Sequence, residues 1–294
     1  MRNAFIKELV LLAENNSHIA LVVGDLGYSV VEPFADRFPE RFINAGVAEQ
    51  NMTGLAAGMA SEGYHVFTYS IANFPTFRCA EQYRNDVDYQ NLAVTVVAVG
   101  GGLAYGALGY SHHAVQDLAL MRVMPNTLIA APGDPYETRA CLRYLINNPQ
   151  PSYLRLGKAG EPVFHDSIPA VRPGEWQKIT TPHNTRGVIL CTGATLGIAL
   201  DMANSDAYSN YSVCTMPLWS MKAKRIQSSQ VKEFAHVVTL ENHLIDGGFG
   251  SWVLESLSDE PSLRSRIHTI ALDPLVCGLV GTEAALNKLG GIVV

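Results

Sequence analysis

The sequence has no run of about 18 apolar residues, and so lacks the length of hydrocarbon-compatible chain that a membrane-spanning helix requires. Positive charge is scarce as well. The formal net charge is -6, and apart from the short cluster Lys222, Lys224, Arg225 there is no block of basic residues, which argues against nucleic acid or an anionic membrane as partner. Cysteine is limited to Cys79, Cys141, Cys191, Cys214 and Cys277, an odd number, widely spaced and without a CxxC pair. That spacing argues against zinc sites and dithiol exchange, so the five read as buried thiols of a protein in a reducing compartment, the cytoplasm. The first residues, MRNAFIKELVLLAENN, break their apolar pattern with acidic and amide side chains, unlike a secretory signal. Low-complexity tracts are absent, and no repeat with a period of about 20 to 50 residues is visible.

What is present is alternation. Apolar, β-branched runs at 19–23, 65–69, 93–99 and 127–131 read as strands, with helical patterns between them. Parallel strands need crossover connections, and helices supply them, so the pattern predicts an α/β protein. A Pro-bearing stretch with Pro162, Pro169, Pro173 and Pro182 then weakens the alternation. A second series follows, at 187–193, 211–216, 236–241 and 267–272. We therefore expect two α/β domains, 1–156 and 187–294, each a mostly parallel sheet flanked by helices, joined by a linker at 157–186.

The stretch from Arg41 to Gly63, RFINAGVAEQNMTGLAAGMASEG, carries the most chemistry. A short strand leads through a Gly turn into a helix rich in Ala and Gly, with Glu49 near its start. A carboxylate there is favoured by the helix dipole, and small residues after it allow close approach of another backbone. For a lone Glu, a capping acid would be the simplest reading. FINAGVAEQNM, however, resembles the pyrimidine-binding domain of the transketolase family, which includes deoxyxylulose phosphate synthases and the β subunits of 2-oxo acid dehydrogenases. The resemblance implies that Glu49 hydrogen-bonds ring nitrogen N1' of thiamine diphosphate, making the 4'-imino tautomer accessible so that the cofactor can supply its carbanion chemistry.

Other positions extend the resemblance over nearly the whole chain. GDLGYSV at 24–30 matches a segment with an Asp near the thiamine, which gives that role to Asp25; an Asp capping a turn is the alternative. Arg2, Ser29 and Arg155 match residues that bind sugar phosphate, a task suited to the planar arginine fork. In IANFPTFRCAEQYR, Phe74, or failing that Phe77, is expected to stack on the aminopyrimidine; either could instead be core. SHHAVQDLALMRVMPN, from Ser111, resembles the family's substrate-facing segment. It implies catalytic roles for His112 and His113, with His112 as the substrate-binding group.

Two departures bear on substrate. Leu108 in GALG stands where a sugar-hydroxyl-binding Asp is expected, and Gly100 where many relatives have a phosphate-contacting His. Such losses weaken selection for an ordinary ketose phosphate, so an unusual sugar, a deoxysugar or a short acyl donor is expected. The resemblance also implies a missing half: the family's GDG and Asn motif, which holds the diphosphate through Mg2+ or Ca2+, has no counterpart here. An N-terminal-half transketolase subunit is therefore expected as partner, in an α2β2 assembly. The main expectation is a split transketolase that transfers a two-carbon ketol unit. A 2-oxo acid dehydrogenase β subunit or acyloin-forming enzyme, and a noncatalytic structural partner, are the alternatives. Glu241 and His243, in TLENHLIDGGFGSW, are read as structural.

Overall fold

A computed structural model describes residues 1–292. Seven strands form the first sheet: β1 (Ile19–Val23), β2 (Phe42–Asn44), β3 (His65–Ile71), β4 (Val94–Val99), β5 (Leu128–Ala130), β6 (Ser152–Leu156) and β10 (Leu218–Trp219), in the order β10-β5-β6-β4-β3-β1-β2. All neighbours are parallel except β10 with β5. β1, β4, β5 and β6 are buried along their whole length, as expected of strands covered by helices on both faces.

The second sheet has the order β12-β11-β8-β9-β7, from β7 (Gln177–Thr180), β8 (Gly187–Cys191), β9 (Tyr211–Thr215), β11 (His236–Leu244) and β12 (Ile267–Leu272). Only β7 runs antiparallel, against β9. Both sheets are thus mostly parallel and flanked by helices, an α/β architecture in two units.

Two features depart from the expected organisation. The stretch 157–186 is not linker throughout, because Gln177–Thr180 pairs with β9 and closes an edge of the second sheet. β10 belongs by sequence to the second unit, yet it adds to the edge of the first sheet, with Leu218 opposite Ala130 and Trp219 opposite Ile129. Trp219 then packs on Phe249 and Trp252, with ring centroids 5.5 and 5.4 Å apart. One apolar cluster accordingly runs from Val22 and Met52 in the first unit to Trp252 and Leu263 in the second. Four cysteines are buried and Cys277 is partly exposed; all five are free thiols.

Candidate functional site

The helix Glu49–Ser61 starts just beyond β2, after the Gly46 turn (φ 74°), and this turn sets Glu49 at the C-terminal edge of the first sheet. Ligands of open α/β sheets gather in the crevice at that edge. Glu49 is only 5% exposed. Its backbone carbonyl accepts from the Thr53 hydroxyl at 3.0 Å. Gly24, at the end of β1, lies so close that a Cβ there would stand 3.7 Å from Glu49 Cγ and 3.5 Å from Ser70 Oγ. The Ser70 hydroxyl is buried and has no hydrogen-bond partner among the described residues.

The Glu49 carboxylate meets a cation. Arg78 Nη1 donates to Glu49 Oε1 at 2.9 Å, while the Arg78 side chain itself is 51% exposed. Its guanidinium carbon also lies 4.2 Å from the centroid of the Phe74 ring. That ring and His112 meet edge to face, at 5.4 Å between centroids. A cleft of about 470 Å³ opens here, lined by Asn73, Phe74, Phe77, Arg78, Tyr110 and Ser111, together with Gln116. Asn73 fastens its two walls: its amide donates to the carbonyls of Ser111 (2.9 Å) and His113 (3.2 Å), which holds the histidine loop against the short helix Asn73–Phe77.

His112 Nδ1 is hydrogen-bonded to the Ser111 hydroxyl at 2.9 Å, which leaves Nε2 for a ligand. Burial, then the neighbouring His113 and the Arg78 charge, lowers the His112 pKa from its ordinary value. His113 does not share this position. It is fully buried, with Nε2 turned to the Gly106 carbonyl at 3.3 Å, and the expectation that it acts on substrate is corrected: no ring atom reaches the cleft.

Asp25 lies two residues beyond the end of β1. It adopts a left-handed backbone (φ 55°) and accepts from Asn44 Nδ2 at 2.9 Å and from the Tyr28 hydroxyl at 3.0 Å, bonds that lower its pKa. The adjoining turn is tight, since a Cβ at Gly27 (φ 96°) would come within 2.8 Å of Tyr69 and Val31. Ser29 is exposed, also left-handed (φ 63°), and its N–H donates to Glu32 Oε1 at 2.7 Å. Arg2 lies beside Tyr69; burial raises the Tyr69 pKa to about 12, against the opposing pull of the Arg2 charge.

Arg155 is the second correction. Its guanidinium is 3% exposed and fully engaged: Nε donates to Asp117 Oδ2 at 2.8 Å, Nη1 to Asn242 Oδ1 at 2.5 Å, and Nη2 to the Ala114 carbonyl at 2.7 Å. A group so consumed cannot present a fork to phosphate. It bridges the two units instead, since Asn242 lies on β11. No hydrogen bond among the described residues joins Arg2, Ser29 and Arg155 into one anion site.

The two departures noted in the sequence have a common neighbour. Gly100 (φ 84°) is packed by the Tyr105 ring, which occupies the space a Cβ would enter, and Leu108 is 57% exposed on the following turn. A larger cavity, of about 720 Å³ between the units, is lined by Lys158, Glu283 and Lys288 among others and holds none of the candidate residues. Arg78 and Asn73 were not singled out from sequence. The signal available was a cation flanked by the aromatics of NFPTFR, which can settle on a ring face.

The chain is thus an α/β protein with a crevice at the end of a parallel sheet, where a buried acid is paired to a guanidinium that lies over an aromatic ring. Residues 1–160 match the model of the transketolase pyrimidine-binding domain. One of the subunits of the apulose-4-phosphate transketolase of Phocaeicola vulgatus is 30% identical over 268 residues, which cover 88% of this chain and 84% of that protein. The 1-deoxy-D-xylulose-5-phosphate synthase of Aquifex aeolicus is 32% identical over 99% of this chain but only 46% of its own length. A split-gene transketolase solved as an inactive β4 tetramer superposes with a TM-score of 0.84 at 32% identity, over 99% of this chain and 93% of that one. The Campylobacter jejuni transketolase shares the fold, with a TM-score of 0.79 at 19% identity, over 99% of this chain and 44% of that one. The chain belongs to the transketolase family, as a transketolase-type transferase of the split, second-half kind.

Proposed function

We propose that this chain, together with a first-half partner subunit in an α2β2 assembly in the cytoplasm, transfers a two-carbon ketol unit from a ketose donor to an aldose acceptor with thiamine diphosphate. The reading rests on one observation above others: the buried Glu49 carboxylate is reached through Arg78, whose guanidinium also covers Phe74 in the wall of the cleft. These residues fit the pyrimidine end of the cofactor. Glu49 offers an acceptor or, when protonated, a donor to N1', and Phe74 offers an aromatic face of the size of a pyrimidine. The diphosphate end is assigned elsewhere, because the family's GDG and Asn motif has no counterpart in this sequence. The partner subunit would supply the diphosphate site and its Mg2+ or Ca2+.

When bound, thiamine diphosphate supplies the nucleophilic carbon and the electron sink for breaking the donor's carbon–carbon bond. The chain's own residues do the rest. Glu49 would hold a proton at the pyrimidine nitrogen, where its burial excludes water and strengthens such a bond. Phe74 would offer the face on which the pyrimidine ring lies, and Phe77, 43% exposed, widens the apolar wall. His112, anchored through Nδ1 by Ser111, would present Nε2 to an oxygen of the substrate, where it can donate or accept a proton. Asp25 would approach the cofactor from the end of β1. Arg2 and Ser29 remain available to the far end of the substrate.

That far end is poor in polar groups. Arg155 is committed to Asp117, Tyr105 covers Gly100, and Leu108 replaces an acid. The Phocaeicola vulgatus relative is an apulose-4-phosphate transketolase; here a less hydroxylated sugar or a short acyl donor is the better fit, since an unpaired substrate hydroxyl in such a site costs affinity. The test is Glu49→Gln in the assembled complex. Transfer should fall by at least about 100-fold, the usual weight of a positioned acid or base, while assembly measured by size exclusion is kept. Undiminished transfer would refute the role of Glu49. Release of carbon dioxide from a 2-oxo acid, with no ketol transfer, would move the assignment to the dehydrogenase β subunits.

A further inference from the structure

The groups that the proposed function reserves for the pyrimidine ring are taken, in the chain alone, by a side chain of its own. Arg78 Nη1 donates to Glu49 Oε1 at 2.9 Å, and the same guanidinium lies over Phe74 at 4.2 Å. A guanidinium is planar and carries N–H donors at its edge, so it presents to Glu49 and Phe74 the two features that an aminopyrimidine would present: a flat face for the ring and a hydrogen-bonding edge for the acid. The positions are mutually exclusive. Arg78 cannot remain on both groups while a heterocycle lies between them.

We infer that Arg78 is an internal stand-in for the cofactor's pyrimidine, a cover that keeps Glu49 paired and Phe74 shielded until the cofactor displaces it. The inference rests on the reading of Glu49 as the pyrimidine partner. Its physical logic lies in the contrast of burial: Glu49 is 5% exposed, and a buried carboxylate without a partner is costly, so something must satisfy it before a ligand arrives. Arg78 is 51% exposed and can swing into water at little cost, because its chain is long and its charge is readily hydrated. Its backbone stays in place, with its carbonyl accepting from Gln50 Nε2 at 3.0 Å. Movement is thus confined to the side chain.

Displacing a bound guanidinium lowers the apparent affinity for the pyrimidine, and removing it should raise that affinity. Thiamine serves as the probe, titrated into the full chain and followed by saturation-transfer NMR, for wild type, Arg78→Ala, Arg78→Lys, Glu49→Gln and the double variant Arg78→Ala/Glu49→Gln. Arg78→Ala should bind thiamine roughly tenfold more tightly than wild type, and adding Glu49→Gln should abolish the gain. Arg78→Lys keeps a charge beside Glu49 but loses the flat face, so it should fall between the two and guards against a loss of fold in Arg78→Ala. Equal or weaker binding by both Arg78 variants, or no binding by any form, would overturn the stand-in role. A gain that survives Glu49→Gln would instead sink the assignment of Glu49, and this inference with it.

Discussion

Replacing Arg155 with Met separates a structural role from a substrate-binding one. Arg155 and Asp117 are 3% and 0% exposed, and the guanidinium donates to Asp117, to Asn242 and to the Ala114 carbonyl. Asp117 also accepts from the Tyr153 hydroxyl at 2.9 Å, so the carboxylate would keep one donor after the arginine is gone. Removing one partner of a buried pair leaves an uncompensated charge and costs about 3–5 kcal/mol. For a chain of this size each kcal/mol lowers Tm by roughly 2–4 °C, so a fall of about 6 °C or more is expected in thermal unfolding followed by circular dichroism. Arg155→Met/Asp117→Leu should recover part of the loss, because the stranded charge goes too. Among molecules that remain folded at low temperature, KM should rise no more for a phosphorylated donor than for an unphosphorylated one. An unchanged Tm together with a KM increase confined to the phosphorylated donor would refute the reasoning, since it would mean that Arg155 leaves its network to bind phosphate.

Two further outcomes follow from the same geometry. Gly100→Ala forces a Cβ into the Tyr105 ring at a left-handed backbone position, and should destabilise the chain by about 1–3 kcal/mol in urea unfolding, with part of the loss restored by Tyr105→Ala; an unaltered midpoint would show that the ring moves freely. His165 lies 2.9 Å from Asp134: burial lowers its pKa, but the bond to Asp134 and the Glu137 charge outweigh burial and leave it raised above 6.5. Its stabilisation is present in full below the unfolded value and is lost as pH rises through the folded one. The stability difference between wild type and His165→Ala should therefore be larger at about pH 5.5 than at about pH 9, and a difference that grows with pH would contradict the pairing.

How far the sequence carried depended on whether a feature was local. β1, β4, β8 and β9 were legible as short apolar runs, because strands buried on both faces need no alternation to be seen. The carboxylate at the start of the helix Glu49–Ser61 was legible for a related reason, since its motif and its Gly turn are contiguous. β10 was not: two residues carry no periodicity, and their partner in β5 lies far back in the chain. β7 was lost among prolines that are themselves loop signals.

By itself the sequence determined the α/β class, the two-unit order and an acid next to a glycine-rich turn, because these arise from neighbouring residues and the backbone conformations they favour. Tertiary structure decided which charged groups are free. Arg155 is consumed by Asp117, 38 residues away, and by Asn242, 87 residues away, while Arg78 folds back 29 residues onto Glu49. His112 and His113 are adjacent, yet one meets Phe74 and the other is sealed against Gly106. The charge and shape of a side chain are fixed by its identity, but its availability to a ligand depends on desolvation and on partners that only the folded chain brings near.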